Sequence, residues 1–307
     1  MIRFLFQRLF QGLIVIVCVI SITFLIIRAA PGGPFAKDRA MPAYVQENLE
    51  RLYGLDQPLP VQLWRNLKSF LTLDLPVSYR LKGWNVKDII AQAMPVSFTV
   101  GAAAFLIAIG LGVPAGAWAA LRAGQIEDRV VMTLATLGIC VPSLVLGPLV
   151  ALVFGLKLHW FNAAGWYASS DWVLPAATLG FISASAVARL TRGGLRETLS
   201  QDYIRTARAK GLPEKLIIIR HALRLACLPL LNYLGPLAAG LLSGSFVTET
   251  IFQLPGLGRH FISSALHKDF TLAMALAAFF AVLIVVFNLL VDILQAWLNP
   301  RIRLSEK

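Results

Sequence analysis

The chain has 307 residues, of which 57% are hydrophobic and only 14% are charged, whereas soluble domains carry about one quarter charged residues. This composition predicts a membrane protein. A formal net charge of +12 is compatible with nucleic-acid binding, but a basic soluble protein would not contain several uninterrupted apolar runs of spanning length, so we expect no nucleic-acid partner.

The first apolar run covers residues 10–27 and follows two basic residues, Arg3 and Arg8. A helix of 18 residues is about 27 Å long, close to the hydrocarbon thickness of a bilayer, about 30 Å. The run is too long for the apolar part of a signal peptide, and Arg28 interrupts the expected cleavage site. We therefore expect a retained anchor helix over residues 1–28.

Residues 29–95 carry charges of both signs and are predicted to form a folded extracytoplasmic segment. Within it, Pro60 begins a predicted amphipathic helix that either lies on the membrane surface or caps the helical bundle. One face of this helix is predicted to contain Leu63, Trp64, Leu67, Phe70 and Leu71.

Three further spans are predicted before the most basic part of the chain, at residues 96–121, 130–156 and 173–190. The first of them is rich in small residues that permit close helix contact, namely Gly101, Gly110, Gly112 and Gly116. Pro142 and Pro148 predict a kink in the next one. An aromatic belt is predicted in the loop after it, formed by His159, Trp160, Trp166, Tyr167 and Trp172.

Residues 200–229 form a basic, helix-prone stretch between segments that are almost free of charge. Ser200 suits the N-cap of a helix, because its hydroxyl accepts a backbone N–H, and Asp202 places a negative charge in the first turn. Gly211 can adopt the left-handed conformation that ends a helix, and Pro213 suits the first turn of the next. The stretch therefore predicts a short helix, a sharp turn and a second helix.

An apolar stripe runs along the predicted short helix at three- and four-residue spacing. Its members are Tyr203, Ile204, Ala207 and Gly211, while Arg205, Arg208 and Lys210 lie off the stripe. Such a helix can press closely against a partner protein. The alternative is an amphipathic helix that its basic residues hold on anionic lipid.

The last two predicted spans are residues 228–247 and 271–298, which brings the count to six. Their few polar residues are Asn232, Asn288 and Asp292, which we expect to serve either the transport pathway or helix packing. An aspartate inside a membrane span suggests a functional role such as a proton relay. The simpler interpretation, that Asp292 lies near the cytoplasmic end and bonds a neighbouring element, is favoured.

Lys and Arg placement predicts the orientation of the chain. Four segments hold sixteen of these residues: 2 in residues 1–9, 2 in residues 122–129, 9 in residues 189–224 and 3 after Pro300. The short loops on the other side hold only Lys157, Arg259 and Lys268. By the positive-inside rule both termini and the basic stretch are cytoplasmic, whereas segments longer than about 60 residues, such as 29–95, translocate largely regardless of charge.

Motifs of catalysis and metal binding are missing from the sequence. It contains no Gly-Lys pair and hence no phosphate-binding GxxxxGK[ST] loop, no HExxH and no GxSxG. Its four histidines are dispersed, and Cys18, Cys140 and Cys227 show no metal-ligand spacing. We therefore expect neither an enzyme nor a metal site.

A family resemblance is carried by the basic stretch and by segments outside it. The run Tyr203-Ile204-Arg205-Thr206-Ala207-Arg208-Ala209-Lys210-Gly211, followed by His221-Ala222-Leu223 and Leu228-Pro229, resembles the cytoplasmic coupling loop of ABC importer permeases of the oligopeptide and dipeptide group. Gly54-Leu55-Asp56-Gln57-Pro58-Leu59, Glu249-Thr250-Ile251-Phe252 and Pro255-Gly256-Leu257-Gly258 are similar to other stretches of that group. The resemblance thus covers nearly the whole chain. Arg205-Thr206-Ala207 stands where the general pattern has Glu-Ala-Ala, a departure that fits the peptide branch.

This resemblance implies an all-α membrane protein with six transmembrane helices and the type I ABC importer permease fold. The expected organisation is a single permease domain over residues 1–307, with a five-helix core at 96–300 and a cytoplasmic coupling loop at 192–227. The implied function is the translocation subunit of an ATP-driven peptide importer in the bacterial inner membrane. The residues expected to contact the ATPase are Tyr203, Arg205, Thr206, Ala207, Ala209, Lys210 and Gly211.

The implied partners are a homologous second permease subunit, two cytoplasmic ABC ATPase subunits and an extracytoplasmic peptide-binding protein, besides the peptide substrate and membrane lipid. The chain itself is expected to bind no cofactor, because ATP and Mg²⁺ belong to the ATPase subunits. The alternative function is an ion-coupled transporter or channel that works without ATPase subunits. It would require midplane charges, discontinuous helix pairs or inverted repeats, and no repeat between the two halves is visible.

Overall fold

The computed structural model describes residues 2–29, 44, 51, 54–72, 74–78, 80–81 and 83–298, and most of them are helical. The helices are α1 Ile2–Ala29, α2 Leu59–Leu71, α3 Val86–Leu121, α4 Ile126–Cys140, α5 Ser143–Val150, α6 Val173–Leu199, α7 Asp202–Ala209, α8 Leu223–Leu242, α9 Phe246–Ile251, α10 Leu257–Leu266 and α11 Phe270–Leu298. The π-helical segment Ala151–Lys157 continues α5, and a single turn Glu214–Leu216 with the π-helical segment Ile217–Ala222 leads into α8. The Pro31–Pro34 turn and the tail after Pro300 lie outside the described residues.

Five helical segments of the described chain are long and apolar enough to cross a membrane: Phe6–Ala29, Val86–Leu121, Val173–Leu199, Leu225–Ile251 and Phe270–Gln295. The predicted span at residues 130–156 is instead a pair of helical segments bent by 103° between Cys140 and Ser143. Pro142 is the N-cap of the second segment, with φ −61° and ψ 144°. The predicted kink is therefore confirmed, and six spans result if the bent pair counts as one.

Several predicted span boundaries differ from the ends of the helices. α3 begins ten residues before the predicted start at residue 96, and α6 continues nine residues beyond the predicted end at residue 190. α8 begins at Leu223, before the predicted start at residue 228, and the apolar segment that contains α8 and α9 continues to Ile251, beyond the predicted end at residue 247. The predictions followed the apolar run alone, whereas the helices extend through charged residues. Long charged side chains can reach water from a helix at the membrane boundary.

The described chain divides into two compact units, of which one contains Pro95–Arg259 and the part of α11 from Val286. In this unit α6 is the central helix and packs against both α4 and α8. One apolar core joins α3 to α8 and α9, through buried side chains that include Val100, Leu241 and Phe252.

Small residues let these helices approach closely at three of the four glycines for which the sequence predicted such contact. A Cβ on Gly116 would lie 2.3 Å from the carbonyl oxygen of Ala188, and one on Gly101 would lie 2.4 Å from that of Leu241. Gly112 is equally confined, whereas a side chain on Gly110 would meet open space, so Gly110 makes no close helix contact among the described residues.

The loop before α6 is ordered by one buried carboxylate. Asp171 accepts hydrogen bonds from the backbone N–H groups of Tyr167 at 2.5 Å and Ala168 at 2.7 Å, and from the Asn162 amide at 2.8 Å. Burial on its own raises the pKa of Asp171, but these hydrogen bonds outweigh it and hold the pKa below its usual value. In the predicted aromatic belt, Trp160 and Tyr167 are exposed, while Trp166 and Trp172 pack against the core.

The other compact unit contains Ile2–Met94 and His260–Val285, as far as these ranges are described. α2 packs against α1, and Pro60 lies in its first turn as predicted. The predicted apolar face of α2 divides into two parts. Leu63, Leu67 and Phe70 are partly buried, whereas Trp64 and Leu71 are 66% and 75% exposed.

Candidate functional site

The short helix α7 is anchored by its own chain. Ile204 is completely buried and Ala207 is 8% exposed. They pack in one cluster with residues of α3, α6, the π-helical segment and the start of α8, namely Ala120, Leu195, Ile217, Ala222 and Ala226. The inner face of α7 is thus fixed to three long helices at once.

This packing corrects the sequence interpretation of the apolar stripe. Ile204 and Ala207 were expected to press against a partner protein, but they form part of the interior of the chain. Helical periodicity identifies an apolar face without telling what covers it. Of the seven predicted contact residues, Ala207 therefore positions α7 and offers no surface to a partner.

The outer face of α7 exposes the other predicted contact residues. These are Tyr203, Arg205, Thr206, Ala209, Lys210 and Gly211. Tyr203 is 40% exposed, and partial burial raises the pKa of its hydroxyl. An Arg205 guanidinium nitrogen lies 3.4 Å from the Asp202 carboxylate, but both groups are exposed and the pair contributes little stability. The face is therefore basic, with an aromatic side chain beside the charges.

The end of α7 is a Schellman turn, as the Gly211 and Pro213 signals predicted. Gly211 has φ +75°, its N–H donates to the Arg208 carbonyl at 2.9 Å, and the Leu212 N–H donates to the Ala207 carbonyl at 3.3 Å. Pro213 is the N-cap of the following helical turn. The predicted order of short helix, sharp turn and second helix is correct.

A salt bridge spans this turn. Arg208 donates from Nη2 and Nε to the two carboxylate oxygens of Glu214, at 2.6 and 3.2 Å. This contact lowers the pKa of Glu214 and raises that of Arg208. The pair is about half exposed, with side-chain exposures of 45% and 53%, so it fixes geometry more than it adds stability.

The predicted N-cap of α7 is wrong. Ser200 is the C-cap of α6, with φ −85° and ψ −9°, and its hydroxyl donates to the Glu197 carbonyl at 2.7 Å. Gln201 occupies the N-cap position, and its side chain makes no capping hydrogen bond. Because α6 runs to Leu199, Ser200 is used to end one helix and is not available to begin the next.

An ion pair between α6 and α4 was not predicted. Arg192 on α6 donates from Nε and Nη2 to the two carboxylate oxygens of Asp128 on α4, at 2.5 and 2.7 Å. Asp128 also accepts the Gly124 N–H at 2.9 Å. The partners are 64 residues apart in sequence, so no local pattern could reveal the pair. It holds the beginning of α4 against the end of α6, the helix that leads into α7.

A second buried carboxylate, that of Glu249, organises the stretch from Glu249 to Gly258. Glu249, 2% exposed, accepts hydrogen bonds from the Ser97 hydroxyl at 2.7 Å and the Arg259 N–H at 2.8 Å. Ser97 in turn accepts the Leu257 N–H at 2.8 Å. A Cβ on Gly256 would lie 2.4 Å from the Glu249 carboxyl carbon, so only glycine fits there. This arrangement ties α9 and the start of α10 to α3.

The polar residues predicted inside the last two spans lie where α8 meets α11. Gln295 donates to the Asn232 Oδ1 at 2.6 Å, and the Asn288 Oδ1 lies 2.9 Å from the position of a Cβ on Gly235. Asp292 is half-buried one turn after Asn288. The geometry of the two asparagines suits helix packing, and a pathway role for Asp292 stays a prediction. Among the residues that the structure describes, no group of three or more His, Cys, Asp or Glu side chains could hold a metal ion.

Two family descriptions match the chain. The binding-protein-dependent transport system inner membrane component matches residues 112–304, and the N-terminal part of the corresponding membrane component matches residues 1–80. The first match includes α7, the Arg192–Asp128 pair and Glu249.

Curated relatives match over their full length. The oligopeptide transport system permease protein OppB of Escherichia coli K12 is 41% identical over 305 residues, which cover 99% of this chain and 100% of the relative. The dipeptide transport system permease protein DppB of Bacillus subtilis 168 is 39% identical over 307 residues, which cover 100% of both. The second of these matches spans every element described above.

A solved structure has the same fold. A chain of the MetNI methionine ABC transporter, in an inward-facing conformation, superposes with a TM-score of 0.58 at 16% identity and covers 69% of this chain and 97% of its own length. The resemblance in fold confirms the predicted importer permease architecture. Family match, full-length identity and fold together show that this chain belongs to the family of binding-protein-dependent transport system inner membrane components.

Proposed function

We propose that this chain is the translocation subunit of an ATP-driven peptide importer and that α7 receives the movement of cytoplasmic ATPase subunits. The observation that carries the proposal is the two-sided nature of α7. Its inner face is packed into the chain through Ile204, and its outer face exposes Arg205, Lys210 and part of Tyr203.

The anchoring of α7 gives the proposal a physical mechanism. Ile204 packs among α3, α6 and the start of α8, so a force applied to the outer face displaces these helices together. Closing of the ATPase subunits on ATP would then bias the permease between inward-facing and outward-facing states, as a ligand biases a two-state element. Ala207 and the turn at Gly211 keep α7 in position during this movement.

The orientation of the chain agrees with such a contact. The Lys and Arg residues concentrate on the side of residues 189–224, which the positive-inside rule assigns to the cytoplasm together with both termini. ATP and Mg²⁺ would be bound by the ATPase subunits, and this chain would be non-catalytic. A second permease subunit and an extracytoplasmic binding protein would complete the importer.

Peptide is proposed as the substrate because the relatives named above are oligopeptide and dipeptide permeases. Selection among peptides would lie with the binding protein, since a pathway that passes varied peptides has to be only weakly selective. The same relatives favour an ATP-driven importer over an ion-coupled transporter.

Charge reversal on α7 tests the coupling role. In the assembled complex, Arg205→Glu should weaken co-purification of the ATPase subunits and their peptide-stimulated ATP hydrolysis at least about tenfold, as expected for a central contact residue. The matched control is Arg129→Glu, an equal change at an exposed position outside α7. Equal behaviour of the two variants would refute the assignment of α7 as the coupling surface.

A further inference from the structure

A cavity of about 550 Å³ lies within the unit that contains α1 and α2. It is bounded by the end of α1, the polar side of α2 and the start of α11. Two membrane spans fix its depth independently, because Phe6–Ala29 ends and Phe270–Gln295 begins beside it. The cavity therefore opens at the boundary between membrane and water. We call it the boundary cavity.

Three basic side chains line the boundary cavity: Arg28, Arg65 and Lys68. The described lining contains one acidic residue, Asp74, so the charge of these groups sums to about +2 at neutral pH. In the described part of the chain, the side chains of Arg65 and Lys68 form no salt bridge with a carboxylate. An anion that enters the cavity would meet positive charge from two different helices.

Arg28 is held ready for a ligand by its neighbours. Its guanidinium donates to the Oε1 of Gln62 and lies 5.8 Å from the centre of the Phe24 ring. Gln62 is 6% exposed, and its amide donates to the backbone carbonyls of Leu55 at 3.0 Å and Gln57 at 2.6 Å. The Gln62 oxygen is thereby turned toward Arg28. A cation fixed in this way loses little side-chain entropy when it binds an anion.

The side of α2 next to these charges is apolar and exposed. Trp64 lies four residues before Lys68 and Leu71 three residues after it, so both share its side of the helix. They are 66% and 75% exposed, although the helix packs against α1. A ligand with an anionic group and a long apolar part fits this pairing of surfaces, because its apolar part would cover Trp64 and Leu71.

We propose that the boundary cavity binds the phosphate group of a membrane phospholipid through Arg28, Arg65 and Lys68, with the acyl chains along Trp64 and Leu71. Guanidinium groups bind phosphate oxygens in pairs of hydrogen bonds, and Lys acts as a point charge. Free phosphate shares the anionic chemistry but leaves the apolar surface uncovered. The proposal is independent of what the protein transports.

The test uses the complete purified complex in detergent and a fluorescent short-chain phosphatidylglycerol as the probe. Arg65→Gln with Lys68→Gln should weaken probe binding about 30-fold, since each basic residue strengthens attraction to anionic lipid about fivefold. The matched control, Lys87→Gln with Lys157→Gln, removes two exposed positive charges outside the cavity and should bind the probe like the wild type. Native mass spectrometry should find phospholipid retained by the control and lost by the cavity variant.

Three results would overturn the proposal. The first is probe binding by the cavity variant within about twofold of the control, because each removed cation should count for about fivefold. The second is displacement of the probe by inorganic phosphate at equal concentration, which would identify a free anion as the ligand. The third concerns the wild type alone: affinity that does not fall between about 0.1 and 1 M salt would exclude electrostatic capture.

Discussion

Removal of the side chain that anchors α7 should loosen the helix without unfolding the protein. Ile204 is completely buried among Ala120, Leu195 and Ile217. Replacement by alanine removes three carbon atoms, worth about 0.8 kcal/mol each in transfer free energy, and leaves a cavity that adds to the loss. We therefore expect Ile204→Ala to destabilise the packing of α7 by about 2–4 kcal/mol.

Hydrogen–deuterium exchange of the purified complex measures this loss locally. If α7 opens separately from the long helices, its amides should exchange about 30-fold faster or more, because 1.4 kcal/mol corresponds to a factor of ten. Ile219→Ala is the matched control, since Ile219 is 59% exposed in the adjacent π-helical segment. Exchange in α7 that is equally unchanged in both variants would show that Ile204 does not anchor the helix.

Three further predictions concern the turn, the ion pair and the outer loop. Gly211→Ala should lower the free energy of unfolding by about 1–2 kcal/mol in thermal melts, because φ is +75° while the new Cβ meets open space; Gly193→Ala, also in open space but in a helix, should raise it by up to about 1 kcal/mol. Asp128→Asn should destabilise by about 3 kcal/mol in detergent unfolding, and the loss should be non-additive with that of Arg192→Gln, since either change breaks the same pair; additive losses would contradict the pairing. The pKa of Asp171 is lowered from 3.8 in the folded chain, so its contribution to stability is present above about pH 4 and is lost as the pH falls through the folded-state value. Tryptophan fluorescence should report this loss during an acid titration, and Asp171→Asn should abolish the acid-dependent change.

Long apolar runs made the spans predictable from sequence. α1 and α11 are continuous runs in helices that satisfy their own backbone hydrogen bonds, as burial in lipid requires; α11 matches the predicted span closely, whereas α1 begins before the predicted start at residue 10. α6 was predicted too short because its last turns are not apolar. Its last two turns carry Arg192 and Arg196, and the favourable partner of Arg192 lies on another helix. The sequence around Arg192 therefore does not predict that partner.

Local signals also located the candidate site, but only in part. Gly211 and Pro213 determine the turn through their own backbone preferences, so the end of α7 was predicted to the residue. The inner face was misassigned because an apolar stripe has the same pattern whether it packs inside the chain or on a partner. Glu249 was noticed only through family resemblance, since the three groups that donate hydrogen bonds to its carboxylate, from Ser97, Gly258 and Arg259, lie on two other helices.

Peptide uptake by proteoliposomes tests the central claim most directly. The vesicles would contain both permease subunits, with or without the ATPase subunits, and would receive peptide through the binding protein. The proposed function predicts ATP-dependent accumulation only when the ATPase subunits are present, and its loss with Arg205→Glu but not with Arg129→Glu. Uptake that proceeds without ATPase subunits would contradict the function proposed for this chain.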